Sequence, residues 1–126
     1  AMLTKVDVLS TGESAEYYTD ERCYILELSN DAGDPDVSVA RARVEAGVTT
    51  RAHRLSNTAE RYVILKGEGE AIIGDAPPTR VAVGSVVWIP AGVTQSIRNI
   101  GDTDLVFLCI CTPRFEWQNY ESVETT

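Results

Sequence analysis

The stretch AHRLSNTAERYVILKGEGEA, residues 52–71, carries the single histidine of the chain, His53, and seven positions later a glutamate, Glu60. An imidazole and a carboxylate brought together on neighbouring strands can do two kinds of chemistry. They can move a proton as a general acid and base, or they can ligate a divalent metal. A metal ordinarily takes three or four protein donors, and this stretch supplies two. Either other parts of the chain complete the set, or the pair works without a metal.

The elements that must position these residues are short β-type runs broken by turn residues. RCYILELS (22–29) is rich in β-branched and aromatic residues, and NDAGDPD (30–36) gathers loop formers behind it. VSVARARV (37–44) alternates small or apolar residues with Arg41 and Arg43, which predicts a strand with both arginines on one face. RYVILKGEGEAIIGD (61–75) predicts a hairpin turning at Gly67-Glu68-Gly69, since glycine reaches positive φ without a Cβ clash. Between residues 80 and 113, runs of four to eight residues alternate with Gly-Ser, Pro-Ala-Gly and Gly-Asp-Thr-Asp. Helical periodicity is nearly absent; only the first 20 residues and the tail RFEWQNYESVETT leave room for a helical turn. Many short strands at regular spacing predict an all-β sandwich or barrel.

Composition narrows the partners. The 126 residues fit one domain, spanning 1–126, with ordinary apolar and charged content. The net charge is −8, which disfavours nucleic acid and anionic membrane surfaces as partners. No apolar run reaches membrane-span length, and the first residues lack the pattern of a secretory signal. Three cysteines, Cys23, Cys109 and Cys111, make an odd count that suits a reducing cytoplasm better than a disulfide framework. The last residues, ESVETT (121–126), are polar and expected to be mobile.

Two spaced motifs carry a resemblance to a known family. Gly47, five residues, His53, then Glu60, six residues, Gly67 resembles the first motif of the cupins. Gly84, five residues, Pro90-Ala91-Gly92, then Gln95 and Asn99 resembles the second. The resemblance covers about residues 37–114, with the terminal extensions expected to close the fold. It implies a small antiparallel β-barrel of jelly-roll topology with the site inside.

The resemblance also implies a metal site of three histidines and a glutamate. Position by position, His53 and Glu60 match, a second histidine falls on Leu55, and a third falls on Gln95. His53, Glu60 and Gln95 could hold one divalent transition metal (zinc, nickel, iron or manganese) weakly, with water completing the shell. Without a metal, the same groups would bond one another or an organic ligand. His53, Glu60 and Tyr62 are the candidate catalytic residues. Alternation places Tyr62 and Ile64 on the inner face with Glu60. Gln95, Arg41 and Arg43 are candidate ligand-binding residues, the arginines either clamping an anion from inside or lying on an exposed face of an edge strand. Cys109 and Cys111 share a face and are expected in the core, as is Trp88. Phe115, Trp117 and Tyr120 are expected to cap the fold or pack on a second subunit, and a homodimer is the default assembly. Two readings of function stand. One is an enzyme of isomerase, epimerase or lyase type acting on a small sugar or carboxylate, with dioxygenase chemistry the least expected. The other is a non-catalytic or regulatory module that binds a small ligand.

Overall fold

Period-two alternation decides the architecture. The computed structural model describes residues 6–124, and its strands bury every second side chain wherever the sequence alternates. Eleven strands follow one another: β1 (Tyr17–Tyr18), β2 (Tyr24–Ser29), β3 (Ser38–Val44), β4 (His53–Leu55), β5 (Ala59–Lys66), β6 (Glu68–Ile73), β7 (Thr79–Ala82), β8 (Val86–Ile89), β9 (Gln95–Asn99), β10 (Leu105–Thr112) and β11 (Tyr120–Ser122). They form a six-stranded sheet in the order β1-β2-β3-β10-β5-β8 and a five-stranded sheet in the order β11-β4-β9-β6-β7. The helical content of the described residues is two short 3-10 turns, Glu13–Ala15 and Trp117–Asn119, in the two regions where the sequence leaves room for them.

The all-β expectation is met as two antiparallel sheets. No strand ladder among the described residues joins them into one closed ring. The core lies between them. Ala42, Val44, Tyr62, Ile64, Leu105 and Phe107 come from the first sheet, and Ala71, Val81 and Ile97 from the second. Each fully buried isoleucine or leucine here contributes roughly 1.5–3 kcal/mol. No helix among the described residues is long and apolar enough to cross a membrane.

Three expectations are corrected. The hairpin at Gly67 is not a hairpin: β5 pairs with β10 and β8, whereas β6 pairs with β7 and β9 in the other sheet. Gly67 is instead the corner by which the chain changes sheets. Its φ is +87°, and a Cβ there would lie 2.7 Å from the Asp104 carbonyl oxygen. Trp88 is not in the core but 55% exposed. Its neighbours Val87 and Ile89 take the inward positions of β8, leaving Trp88 outside under the Arg61 guanidinium, 4.1 Å from the ring centroid. The tail packs into the fold as far as it is described. Glu121 and Ser122 lie in β11, and Glu124 binds Arg22 at 2.8 Å. Thr125 and Thr126 lie outside the described residues.

One buried amide ties the sheets together. Asn99, with no exposed surface, donates through Nδ2 to the carbonyls of Val44 and Thr103, each at 2.8 Å. Its Oδ1 accepts from the Gly101 N–H at 2.9 Å. Val44 is in the first sheet and Asn99 in the second, so this side chain couples them. Asn99→Ala strips two carbonyls and an amide of their partner, each worth roughly 1–3 kcal/mol when left buried. Its urea midpoint should fall well below that of the wild type. An unchanged midpoint would mean that the two sheets are held by packing alone.

Candidate functional site

A cavity opens between the sheets on the side where β2, β3, β4, β5 and β10 meet the C-terminal tail, with about 780 Å³ of empty space running out to solvent. His53, Glu60 and Tyr62 line it together with Glu21, Cys109, Trp117 and Tyr120. The fold brings the first two together through two different strands. β4 is only three residues long and presents His53 and Leu55 inward. β5 presents Glu60, Tyr62 and Ile64, the face expected from alternation.

His53 is held on three sides. Its Nδ1 lies 2.8 Å from Glu21 Oε2 and 3.0 Å from the Arg51 carbonyl oxygen. Its ring stacks on Tyr120 with centroids 5.0 Å apart and planes 22° from parallel. Both partners of Nδ1 are acceptors, so Nδ1 carries the proton and Nε2 is left to act. Burial alone would lower the histidine pKa, but the Glu21 carboxylate and the Arg51 carbonyl outweigh it, and the net direction is upward. Nothing in the spacing around Glu21 marks it as a partner, since it stands in an ordinary charged loop before β2.

Glu60 is the buried carboxyl of the site, 7% exposed. Burial pushes its pKa up to about 7; the His53 charge pulls it down, Glu21 raises it, and the Gln95 amide and Cys109 thiol lower it as donors. Its Oε1 has no hydrogen-bond partner. Buried polar atoms of that kind are rare and call for an explanation. Gln95, which pairs with His53 across β4 and β9, is 1% exposed. The Tyr62 hydroxyl donates to Gln95 Oε1 at 2.5 Å. Tyr62 is itself held protonated, because burial and then the Glu60 charge push its pKa well up. Its ring packs on Phe107 with centroids 4.6 Å apart.

The remaining candidates fall elsewhere. Arg41 and Arg43 do share a face, but they do not line the cavity. They lie in β3, an interior strand of its sheet rather than an edge. Arg41 is bound to Glu13 and Glu16 at 2.5 and 3.0 Å, and Arg43 to Glu16 and Asp104 at 2.6 and 3.2 Å. Arg43 also covers the Tyr24 ring at 4.0 Å. Together they fasten the N-terminal 3-10 turn to the sheet. Cys109 and Cys111 share a face as expected, but that face lines the cavity, and all three cysteines are free. Phe115, Trp117 and Tyr120 form one wall of the cavity, Phe115 to Trp117 at 4.9 Å and Trp117 to Tyr120 at 5.2 Å.

The donors do not make a metal centre. Gln95 turns its oxygen to the Tyr62 hydroxyl, which leaves its amide nitrogen, not a ligand, for Glu60. Leu55 is 2% exposed and offers only hydrocarbon. His53 and Glu60 then remain as two donors, and no group of three His, Cys, Asp or Glu side chains able to hold a metal occurs among the described residues.

Residues 40–111 match the family described as Cupin domain. The oxalate-binding protein of Thermotoga maritima is 32% identical over 71 residues, which make up 56% of this chain and 58% of that protein. The chain thus spans little more than half of that relative. The crystal structure of a predicted oxalate decarboxylase, also from Thermotoga maritima, superposes with a TM-score of 0.75 at 23% identity, covering 85% of this chain and 99% of that one. Pac13, a nucleoside dehydratase studied from Streptomyces, superposes with a TM-score of 0.77 at 13% identity over 94% of this chain and 92% of that one. At these identities the two structures share the fold.

The site gives stability a pH slope. A raised carboxyl pKa means that the folded state favours protonated Glu60. Its contribution is complete below the ordinary value of 4.5 and disappears as pH rises to about 7. Each pH unit across that window costs about 1.4 kcal/mol, roughly 3 kcal/mol in all. His53, also raised, adds stability that is complete below its ordinary 6.5 and is lost as pH climbs through its folded value. Thermal midpoints should therefore fall from pH 5 to pH 8, and Glu60→Gln should flatten most of that fall. A Glu60→Gln protein with the wild-type slope would show that this carboxyl is not the group whose burial is resisted.

Proposed function

The chain belongs to the cupin family, and from that premise we propose that it is a small-molecule-binding cupin that transfers protons without a metal. The reading is an isomerase, epimerase or lyase-type enzyme acting on a small polar substrate. Glu60 and His53 are the acid/base pair, and Tyr62 and Gln95 set the geometry of Glu60. One observation carries it: a buried carboxyl with a pKa of about 7 and an unpartnered oxygen lines a cavity that opens to solvent. We also read the two sheets as the halves of the family's jelly roll.

The chemistry follows from the protonation states. Near neutral pH, Glu60 divides between carboxylate and acid, where a general base works best. The carboxylate takes a proton from a carbon beside a carbonyl, and the C–H electron pair moves into an enolate. Return of that proton to the other face of the same carbon epimerises it, and return to the adjacent carbon isomerises the substrate. In a lyase step the electron pair instead expels a β-hydroxyl, which leaves as water on receiving a proton from the His53 imidazolium. Glu21 keeps the His53 Nδ1 proton in place, so the proton handled is the one on Nε2. Tyr62 acts through Gln95 and is a positioning residue: its hydroxyl fixes the amide so that the nitrogen faces Glu60.

A second reading, a ligand-binding cupin without turnover, draws on the relative named for binding oxalate. Proton NMR in heavy water separates the two. Wild-type protein incubated with a panel of small hydroxycarbonyl compounds and sugars should exchange or eliminate at a carbon beside a carbonyl. Glu60→Gln should slow this by about 10²–10⁴-fold, and Tyr62→Phe by less. Wild-type rates in Glu60→Gln would refute the proton-transfer role. A ligand that binds both proteins equally and is recovered unchanged would favour the binding module.

A further inference from the structure

The charges on the cavity wall select among substrates for this site, an inference that rests on the proton-transfer reading above. Three glutamates line the cavity, Glu21, Glu27 and Glu60, and no lysine or arginine does. His53 is the single basic group on the wall, and it is already paired with Glu21 at 2.8 Å. Nearby arginines have partners of their own: Arg41 and Arg43 in Glu13, Glu16 and Asp104, Arg22 in Glu124, and Arg114 in Glu116 and the Asn30 amide oxygen. An anionic ligand would have to approach the buried Glu60, with Glu21 beside it and the exposed Glu27 at the rim, all of its own sign. Like charges brought together in such a space cost several kcal/mol.

Two further features point the other way. Glu60 lines the cavity, and its Oε1 is buried with no partner, so it lacks a hydrogen-bond donor that a ligand can bring. The wall that continues from His53 is aromatic: Tyr120, stacked on the imidazole, Trp117 and Phe115 make a run with centroids 5.2 and 4.9 Å apart. Aromatic faces attract cations through the ring quadrupole, most of all where water is excluded. A donor for a carboxylate and a charge for an aromatic wall are the two properties of an ammonium group.

We propose that the cavity takes a small organic amine, whose protonated nitrogen donates to Glu60 Oε1 while its body lies on the wall of Tyr120, Trp117 and Phe115. A charge-assisted N–H···O bond is about twice as strong as a neutral one. This pairs the unpartnered oxygen and places the carbons next to the nitrogen within reach of the Glu60–His53 pair. The ligand class therefore differs from the dianion for which the Thermotoga maritima relative is named.

Four probes of graded charge test this on the intact protein: benzylamine, benzyl alcohol, benzoate and oxalate. The first three share size and shape and differ in charge from +1 through 0 to −1 at neutral pH. Calorimetric titration should show benzylamine binding at least about tenfold more tightly than benzyl alcohol, with benzoate and oxalate weaker than both. Glu60→Gln should erase the preference for the amine over the alcohol, and Glu27→Gln should reduce it. Equal binding of amine and alcohol, tighter binding of benzoate or oxalate, or no binding of benzylamine at millimolar concentration would each overturn the proposal. The two failures are distinguishable. Oxalate binding combined with Glu60-dependent exchange removes the amine and keeps the proton transfer. Amine binding without Glu60-dependent turnover does the reverse.

Discussion

A carboxyl group between two hydrophobic sheets is the constraint on which the rest of the site depends. Moving an ionised carboxylate out of water is costly, and the usual response is for the group to keep its proton. Glu60 keeps it well above the ordinary carboxylate range because β5 points it inward beside Tyr62 and Ile64, on the same face that builds the core. Its surroundings temper that cost without removing it. His53 supplies opposite charge, Gln95 and Cys109 supply donors, and Glu21 works against them. The result is a group poised between its two protonation states. The layers around it hold this balance in place. Tyr62 holds Gln95, Glu21 and Tyr120 hold His53, and Asn99 holds the two sheets together.

The same geometry explains why the family scaffold does not amount to a metal centre here. A metal needs lone pairs converging on one point. Leu55 provides none, and Gln95 spends its oxygen on the Tyr62 hydroxyl. What converges instead is a pair of ionisable groups, His53 and Glu60, that suits proton transfer. The wall charges agree with this arrangement. With Arg41 and Arg43 occupied in fastening the N-terminal turn, no lysine or arginine reaches the cavity lining, and His53 is its one basic group.

Much of this was legible in the sequence, and the gaps have physical causes. Short β-type runs between turn residues pointed to an all-β fold, and the two spaced motifs carried the resemblance to the family. Alternation gave the inward set Glu60, Tyr62 and Ile64, because a strand has only two faces. Alternation also puts Trp88 outside, once Val87 and Ile89 are recognised as the inward pair; apolar content alone misassigns it. The corner at Gly67 looked like a hairpin because a tight turn reads the same whether the chain returns to its own sheet or crosses to the other. The contacts of Arg41 and Arg43 with Glu13 and Glu16 join residues more than twenty positions apart, and no local pattern encodes such a pairing. Glu21 and Tyr120 were hidden for the same reason: each reaches His53 from a distant part of the chain.

The central claim is that Glu60 exchanges its proton near neutrality because it is buried, and the carboxyl can be watched directly. Carbon-13 NMR of glutamate labelled at the side-chain carboxyl, with the Glu60 resonance assigned by its loss in Glu60→Gln, follows that one group as pH is changed. The account predicts a midpoint near 7, moving lower in Glu21→Gln as a neighbouring negative charge is removed. A midpoint in the ordinary carboxylate range, around 4 to 5, would contradict it and leave the cavity without its acid/base group.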